Sequence, residues 1–260
     1  MADWNPEAYL KFEKERSKPS RDLVSRIKLE QPENILDVGC GPGNSTRILA
    51  ERWKNAAITA IDNSHAMLEI AKATNPSVRW LLRDAGLDIS DLGQYDLIFS
   101  NAVFQWIPDN DLLISRLFAM LKPRGILAVQ VPFVNEMLIH QLLLDLVSSA
   151  KWSGYFDHIA IPYKVHTPEY YYDVLCELTP EIELWETRYY HLMNSYEDIL
   201  DLYRSTGLRP YLDCLYEDKK QKEFESDLML EIMKYYAGSK DGKILFTFDR
   251  VFFTATRCFD

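Results

Sequence analysis

The sequence predicts a doubly wound α/β protein, in which a parallel sheet is covered by helices on both faces. Two observations carry the prediction. Through the first half of the chain, short and nearly continuous apolar runs alternate with amphipathic segments, the pattern of strands buried on both sides. The second half then supplies two further strand-like runs, which close the same sheet and bring the expected total to seven strands.

The elements follow in order. Residues 35–39 form a first apolar run ending in Gly39, and Asn44-Ser45 then offers the cap of a helix with Ile48, Leu49 and Trp53 at helical spacing. Residues 57–61 read as a second strand, ended by Asp62. Ser64 caps a helix whose inward positions are Met67, Leu68 and Ala71. A third strand over 78–82 is closed by Arg83-Asp84, and a fourth occupies 95–100. Residues 112–121 form a helix stopped by Lys122-Pro123-Arg124-Gly125, and 126–131 form the fifth strand. Ten aromatic residues crowd between 151 and 190, a density that reads as core more than as a binding box. Strands are expected over 182–193 and within 243–258, with helices over 196–203 and 219–236 as insertions that form a lid. The chain therefore divides into an N-terminal helical cap (1–30), a ligand-binding core (31–132), and closing strands with helical insertions (133–260). No Gly/Ser linker separates these parts, so they are read as one structural domain.

Composition narrows the function. The 260 residues carry 29 Lys+Arg against 39 Asp+Glu, a formal charge of −10, which argues against nucleic acid and against an anionic membrane surface as partners. Hydrophobic residues make up 47%, enough to bury a core. The four cysteines are scattered with no C-x-x-C pair, which gives neither a zinc site nor a disulfide framework. The start of the chain has no signal-peptide pattern, and the run over 137–147 is broken by His140, Gln141 and Asp145. A cytoplasmic chain without bound metal, a monomer or small homo-oligomer, is expected.

The most informative stretch is Asp37-Val38-Gly39-Cys40-Gly41-Pro42-Gly43-Asn44. Glycines at alternate positions after a strand let a ligand approach the backbone and expose amides at a helix start. The dinucleotide pattern G-x-G-x-x-G would need glycine at position 44, which is Asn44, and this counts against a nicotinamide oxidoreductase. An acid two residues before the first glycine suits a ligand that carries an ammonium and a sulfonium. Acids also end the next two strands: Asp62, placed to accept from ribose hydroxyls, and Asp84, placed to accept from an adenine amine.

In these motifs, over about residues 31–132, the chain resembles the class I S-adenosylmethionine-dependent methyltransferases, with a Rossmann-like, seven-stranded, mostly parallel sheet. The resemblance implies a cofactor site of Gly39, Cys40, Gly41 and Asn44 in the loop. Asp62 with Asn63, Asp84 with Ala85, and the segment bearing Asn101, Ala102 and Trp106 complete it. It places Tyr9 and Arg16 on an N-terminal segment that covers the cofactor. Outside the core, the segments at 3–10 and 15–19, Tyr189-Tyr190-His191, residues 206–210 and the stretch 248–252 resemble the trans-aconitate 2-methyltransferase family. That resemblance implies methyl transfer from S-adenosylmethionine to a carboxylate of a tricarboxylate, giving a monomethyl ester and S-adenosylhomocysteine.

Physical chemistry makes the implied reaction coherent. A carboxylate is already ionised at pH 7, so no general base is needed and no catalytic residue beyond positioning groups is expected. A tricarboxylate needs cations, and Arg209 and Arg250 are the candidate clamps, with Tyr189 and His191 as donors. On a strand Tyr189 and His191 share one face, which favours that pair and leaves Tyr190 to the core. Two other readings are open: methylation of a different small acid or other small molecule, and a non-catalytic module that binds S-adenosylmethionine.

Overall fold

The structure is a computed structural model that describes residues 12–157, 163–204 and 206–258. Seven strands form one sheet: β1 (Asn34–Val38), β2 (Ala57–Asp62), β3 (Arg79–Leu82), β4 (Tyr95–Asn101), β5 (Leu121–Pro132), β6 (Ile182–Met193) and β7 (Ile244–Thr256). Their order is β3-β2-β1-β4-β5-β7-β6. The first five strands pair in parallel, and β7 enters antiparallel to β5, from Ile126 opposite Thr256 to Pro132 opposite Arg250. The chain reverses direction across the sheet between β1 and β4, and that switch leaves a crevice beyond the carboxyl ends of the strands.

The chain divides into two compact units. One holds the sheet core, with the described residues 12–132, 166–187 and 250–258; the other comprises the described residues within 133–165 and 188–249. In the sheet unit, α1 (Glu13–Arg26), α2 (Asn44–Arg52), α3 (His65–Thr74) and α4 (Asn110–Ala119) follow the expected alternation, and helices α5 (Leu138–Val147) and α6 (Ser153–Phe156) precede α7 (Pro168–Cys176) in the chain. Both faces of the sheet are covered. On one, Phe252 stacks on Trp185 at 5.1 Å, and the Arg26 guanidinium of α1 lies 4.4 Å from the same indole. On the other, Phe253 meets Phe104 at 6.2 Å and Tyr171 of α7 at 5.3 Å. Arg52 of α2 closes α1 by donating to the carbonyls of Val24 and Ile27, the latter at 2.7 Å.

Local expectations were met with three corrections. Ser64 caps α3 as read, accepting from the Met67 amide at 3.2 Å. Asn44-Ser45 does not cap α2: the cap is Gly43 in a left-handed conformation, and the Ser45 hydroxyl turns inward to a carboxylate instead. The turn over Lys122–Gly125 lies inside β5 as an irregularity, with Arg124 at φ 62, because four residues loop out between the partners of Tyr95 and Leu97. Tyr190, expected in the core, is 57% exposed: β6 is an edge strand, and its outer face meets solvent while Tyr189 and His191 point inward.

The second unit packs α8 (Tyr196–Arg204), α9 (Arg209–Leu212) and α10 (Asp218–Tyr235) with α5 and α6. Its core is aromatic, as its composition predicts. Trp152 meets Phe224 edge-on at 4.9 Å while its indole N–H donates to Asp227 at 2.8 Å, and Phe156 fills between Phe224 and Tyr211. A polar pair is buried in the same unit: His140 Nδ1 and the Tyr203 hydroxyl are 2.8 Å apart. Burial pushes His140 down to about 4. The unfolded chain takes up this proton near pH 6.5 and the folded chain only near 4, so the stability held by neutral His140 is complete above pH 6.5 and is lost as the pH falls toward 4. Urea titrations should show a loss on the order of 3 kcal/mol between pH 7 and pH 4 from this group. His140→Gln, which keeps a hydrogen-bonding group but does not titrate, should flatten that part of the profile; an unchanged profile would reject the assignment.

Candidate functional site

The site is built where β1 stops. After Val38 the backbone turns left-handed, with φ 69 at Gly39 and φ 55 at Gly41. A Cβ on Gly39 would stand 2.2 Å from Val103 Cγ2, so this glycine is required both by conformation and by the close approach of the segment after β4. A Cβ on Gly41 would meet nothing within 4 Å: it faces open space.

The loop's amides do not point into that space. Gly39 and Cys40 both donate to the Ile61 carbonyl, at 2.8 and 2.9 Å, Gly41 donates to Asp62 Oδ2 at 2.8 Å, and Gly43 donates to the Cys40 carbonyl at 3.0 Å. Pro42 has no N–H. These four loop amides are therefore satisfied within the protein, while the amides that open α2 at Asn44 and Ser45 remain as its helix start. Cys40 is a buried thiol whose pKa burial raises.

What faces the crevice is acceptor-rich. Asp37 is fully buried; its Oδ2 accepts from Ser45 at 2.8 Å and Thr46 at 2.6 Å, while Oδ1 has no hydrogen-bond partner among the described residues. Desolvation pushes its carboxyl up to about 6, against the two hydroxyls, which pull it down. Asp62 Oδ1 also accepts from the Ser64 amide at 2.8 Å, so this acid is held rigidly at the end of β2 with the exposed Asn63 beside it. Asp84, exposed after β3, is oriented by the Gly86 amide on Oδ1 at 2.8 Å, and Ala85 is buried next to it.

β4 ends at Asn101, and Ala102 follows, held at φ 60, with a tight turn over Phe104–Trp106. Gln105 donates to the Ala102 carbonyl at 2.8 Å. Buried polar atoms cluster along this edge without partners among the described residues: Asn44 Nδ2, Asn101 Oδ1, Gln105 Oε1 and both amide atoms of Gln130. In a folded chain such groups are rare, and their concentration at one edge marks a surface suited to a polar ligand. The oxygens of Asn101, Gln105 and Gln130 can accept from it, and the amide nitrogens of Asn44 and Gln130 can donate to it.

The other predicted residues separate. Arg16 is buried on α1, while Tyr9 lies outside the described residues. Arg250 is on β7 in the sheet unit, 9% exposed. Tyr189, His191 and Arg209 belong to the helical unit. There Tyr189 and His191 stack at 6.4 Å, and Arg209 Nε lies 3.8 Å from Asp213 Oδ2. Sequence reasoning passed over Gln130, although a lone amide in the apolar run of 126–131 was a visible signal. Among the described residues, no group of three or more His, Cys, Asp or Glu is placed to hold a metal, and no helix is long and apolar enough to cross a membrane.

A seven-stranded sheet with one antiparallel strand, a glycine loop after β1 and acids at the ends of β2 and β3 define a Rossmann-like class I methyltransferase. A methyltransferase-domain family model matches residues 35–125. The chain is 39% identical to trans-aconitate 2-methyltransferase of Methylobacterium radiotolerans and 40% identical to that of Enterobacter sp., in each case over 99% of both chains. It also superposes on phosphoethanolamine N-methyltransferase 2 of Haemonchus contortus in complex with S-adenosyl-L-methionine. There the TM-score is 0.56 and the identity 18%, over 93% of this chain and 52% of that one. The chain belongs to the trans-aconitate 2-methyltransferase family, and it is an S-adenosylmethionine-dependent methyltransferase.

Asp37 gives this site a pH signature. If the cofactor's ammonium is held by the ionised carboxylate, binding weakens as Asp37 takes up its proton below about pH 6. Calorimetry with S-adenosylhomocysteine should find affinity about tenfold weaker at pH 5 than at pH 7, and nearly level across that range for Asp37→Asn. A wild-type affinity that does not change with pH would sink this role. Asp62→Ala should weaken the same binding at both pH values; unaltered affinity would remove Asp62 from the cofactor site.

Proposed function

We propose that the enzyme methylates one carboxylate of trans-aconitate, giving its monomethyl ester. The reading is carried by similarity of 39–40% along nearly the whole chain to relatives bearing that name. It is supported by Arg250, a guanidinium buried in the middle of β7 opposite the carboxyl end of β5, since a buried cation suits an anionic ligand.

The cofactor residues proposed are Gly39, Cys40, Gly41, Asn44, Asp62, Asn63, Asp84, Ala85, Asn101, Ala102 and Trp106, with Arg16 and Tyr9 from the N-terminal segment. When bound, S-adenosylmethionine supplies an electrophilic methyl group on a sulfonium. The chain's own task is then to desolvate and aim. An ionised carboxylate has no proton to lose, so no side chain need act as a base. Holding one oxygen in line with the transferable methyl is worth on the order of 7–11 kcal/mol of barrier. Arg250 and Arg209 fix the substrate's other carboxylates, and Tyr189 and His191 donate hydrogen bonds. The substrate is a small free acid, and neither nucleic acid nor membrane takes part.

Turnover with labelled methyl donor on trans-aconitate, cis-aconitate and isocitrate, with the ester position identified, tests the reading; trans-aconitate should be used best. Labelling of a different small molecule alone would replace it. Arg209→Ala should raise KM for trans-aconitate about 10- to 100-fold, the worth of a charge-assisted bond, while affinity for S-adenosylhomocysteine stays near wild type. Equal losses of both, or unchanged turnover, would reject Arg209 as a clamp.

A further inference from the structure

Gln130 lies near the carboxyl end of β5 and is 1% exposed, yet neither Nε2 nor Oε1 has a hydrogen-bond partner among the described residues. Leaving both atoms so buried costs about 1–3 kcal/mol each, and an aliphatic residue of the same size would avoid that. Every other residue of the run 126–131 is apolar. An amide kept at such a position calls for a ligand.

Register shows what surrounds it. Asn101 of β4 is paired with Gln130, so the two side chains stand on the same face, and Asn101 Oδ1 is likewise without a partner among the described residues. On β7 Phe252 is opposite Gln130 and Arg250 opposite Pro132, which makes Arg250 the diagonal neighbour on that same face. This is the face of the Phe252–Trp185 stack, and Arg26 of α1 lies over Trp185.

The helix above changes character at the same level. Its inward positions are apolar near the C-terminus (Leu23, Val24, Ile27) but polar in the earlier turns, where Arg16, Ser17 and Ser20 are all buried. Arg26 and Ile27 border a groove of about 420 Å³ with Ile126, Thr254 and Thr256, so the end of α1 sits at the start of β5. α1 also contacts β5, and its buried polar turn of Arg16 and Ser17 is about 15 Å back along the helix from Arg26, close to the roughly 13 Å from Ile126 to Gln130 along the strand.

We propose that Gln130 is an acceptor-binding residue: its Nε2 donates to a carboxylate oxygen of the acid, beside Arg250 and beneath the polar turns of α1. The assignment rests on the carboxylate-acceptor reading above. The strand register sets the Arg250 guanidinium beside the amide, as the partner for the acid's charge. A carboxylate could also come from the methionine end of the cofactor. Position favours the acceptor: most of the proposed cofactor residues, from the glycine loop to Asp62 and Asp84, lie over β1 to β3, about 10 Å or more from β5, although Asn101 of the same set is Gln130's partner on β4.

Gln130→Leu and Gln130→Glu in the full chain test it, through KM and kcat for trans-aconitate, calorimetric affinity for S-adenosylhomocysteine, and Tm. Gln130→Leu should leave Tm equal or higher, raise KM about 10- to 100-fold and leave S-adenosylhomocysteine affinity near wild type. Gln130→Glu, which sets a negative charge against the acid, should impair the acid more than Gln130→Leu does. Unchanged KM in both variants, with wild-type turnover intact, overturns this assignment alone. So does a parallel loss of S-adenosylhomocysteine affinity, which moves the amide to the cofactor, or a lower Tm with KM intact, which makes it structural. If the wild type uses another carboxylic acid, the trans-aconitate reading fails and the variants are scored on that acid; if it uses none, both readings fall.

Discussion

The site depends on one junction. Where β1 ends, the amides of Gly39 and Cys40 converge on the Ile61 carbonyl of β2, and the Gly41 amide is held by the Asp62 carboxylate. These bonds bend the chain back over the neighbouring strand and bring Gly39 against Val103, so the loops after β1 and β4 fit only together. Parallel strands cannot satisfy what lies beyond their carboxyl ends by hairpins, so that edge is closed by loops, and loops are where ligand-binding groups can be set. Beside this junction the satisfied amides leave space at Gly41 and the acids Asp37 and Asp62.

Charge at this edge is arranged by burial. Asp37 is ionised at pH 7 in spite of complete burial, with its pKa held near 6, and two hydroxyls on one oxygen keep it there. A cation brought to the loop relieves this desolvation, so the free protein carries an unfavourable charge that a cationic ligand stabilises. On the far side of β4 the sign is opposite. Arg250 is buried two residues along β7 from the partner of Gln130, while the chain as a whole carries −10. For the proposed anionic substrate such a net charge gives no long-range attraction, so any attraction has to be local.

The helical unit follows a different logic. Four of its aromatic residues are structural: Trp152, Phe156, Phe224 and Tyr211 fill one core, and His140 and Tyr203 form a buried hydrogen-bonded pair in the same unit. An acidic, aromatic-rich segment read as core or as binding box on composition alone; the edge-on ring geometry and the Trp152–Asp227 bond support the former.

Much of this was legible in the sequence because it is local. The alternation of apolar runs set the seven strands, Gly39 and Gly41 announced the left-handed turn, and Asp62 and Asp84 stood at strand ends by position alone. The edge position of β6, which exposes Tyr190, was not readable, because a strand's neighbours are chosen by chain segments far away in sequence. Nor was the inward direction of the loop amides, since their acceptors come from β2. The setting of Gln130 is the clearest case. Asn101 of β4 and Arg250 of β7 stand on the same face beside it, and only strand pairing brings together residues so far apart in the chain.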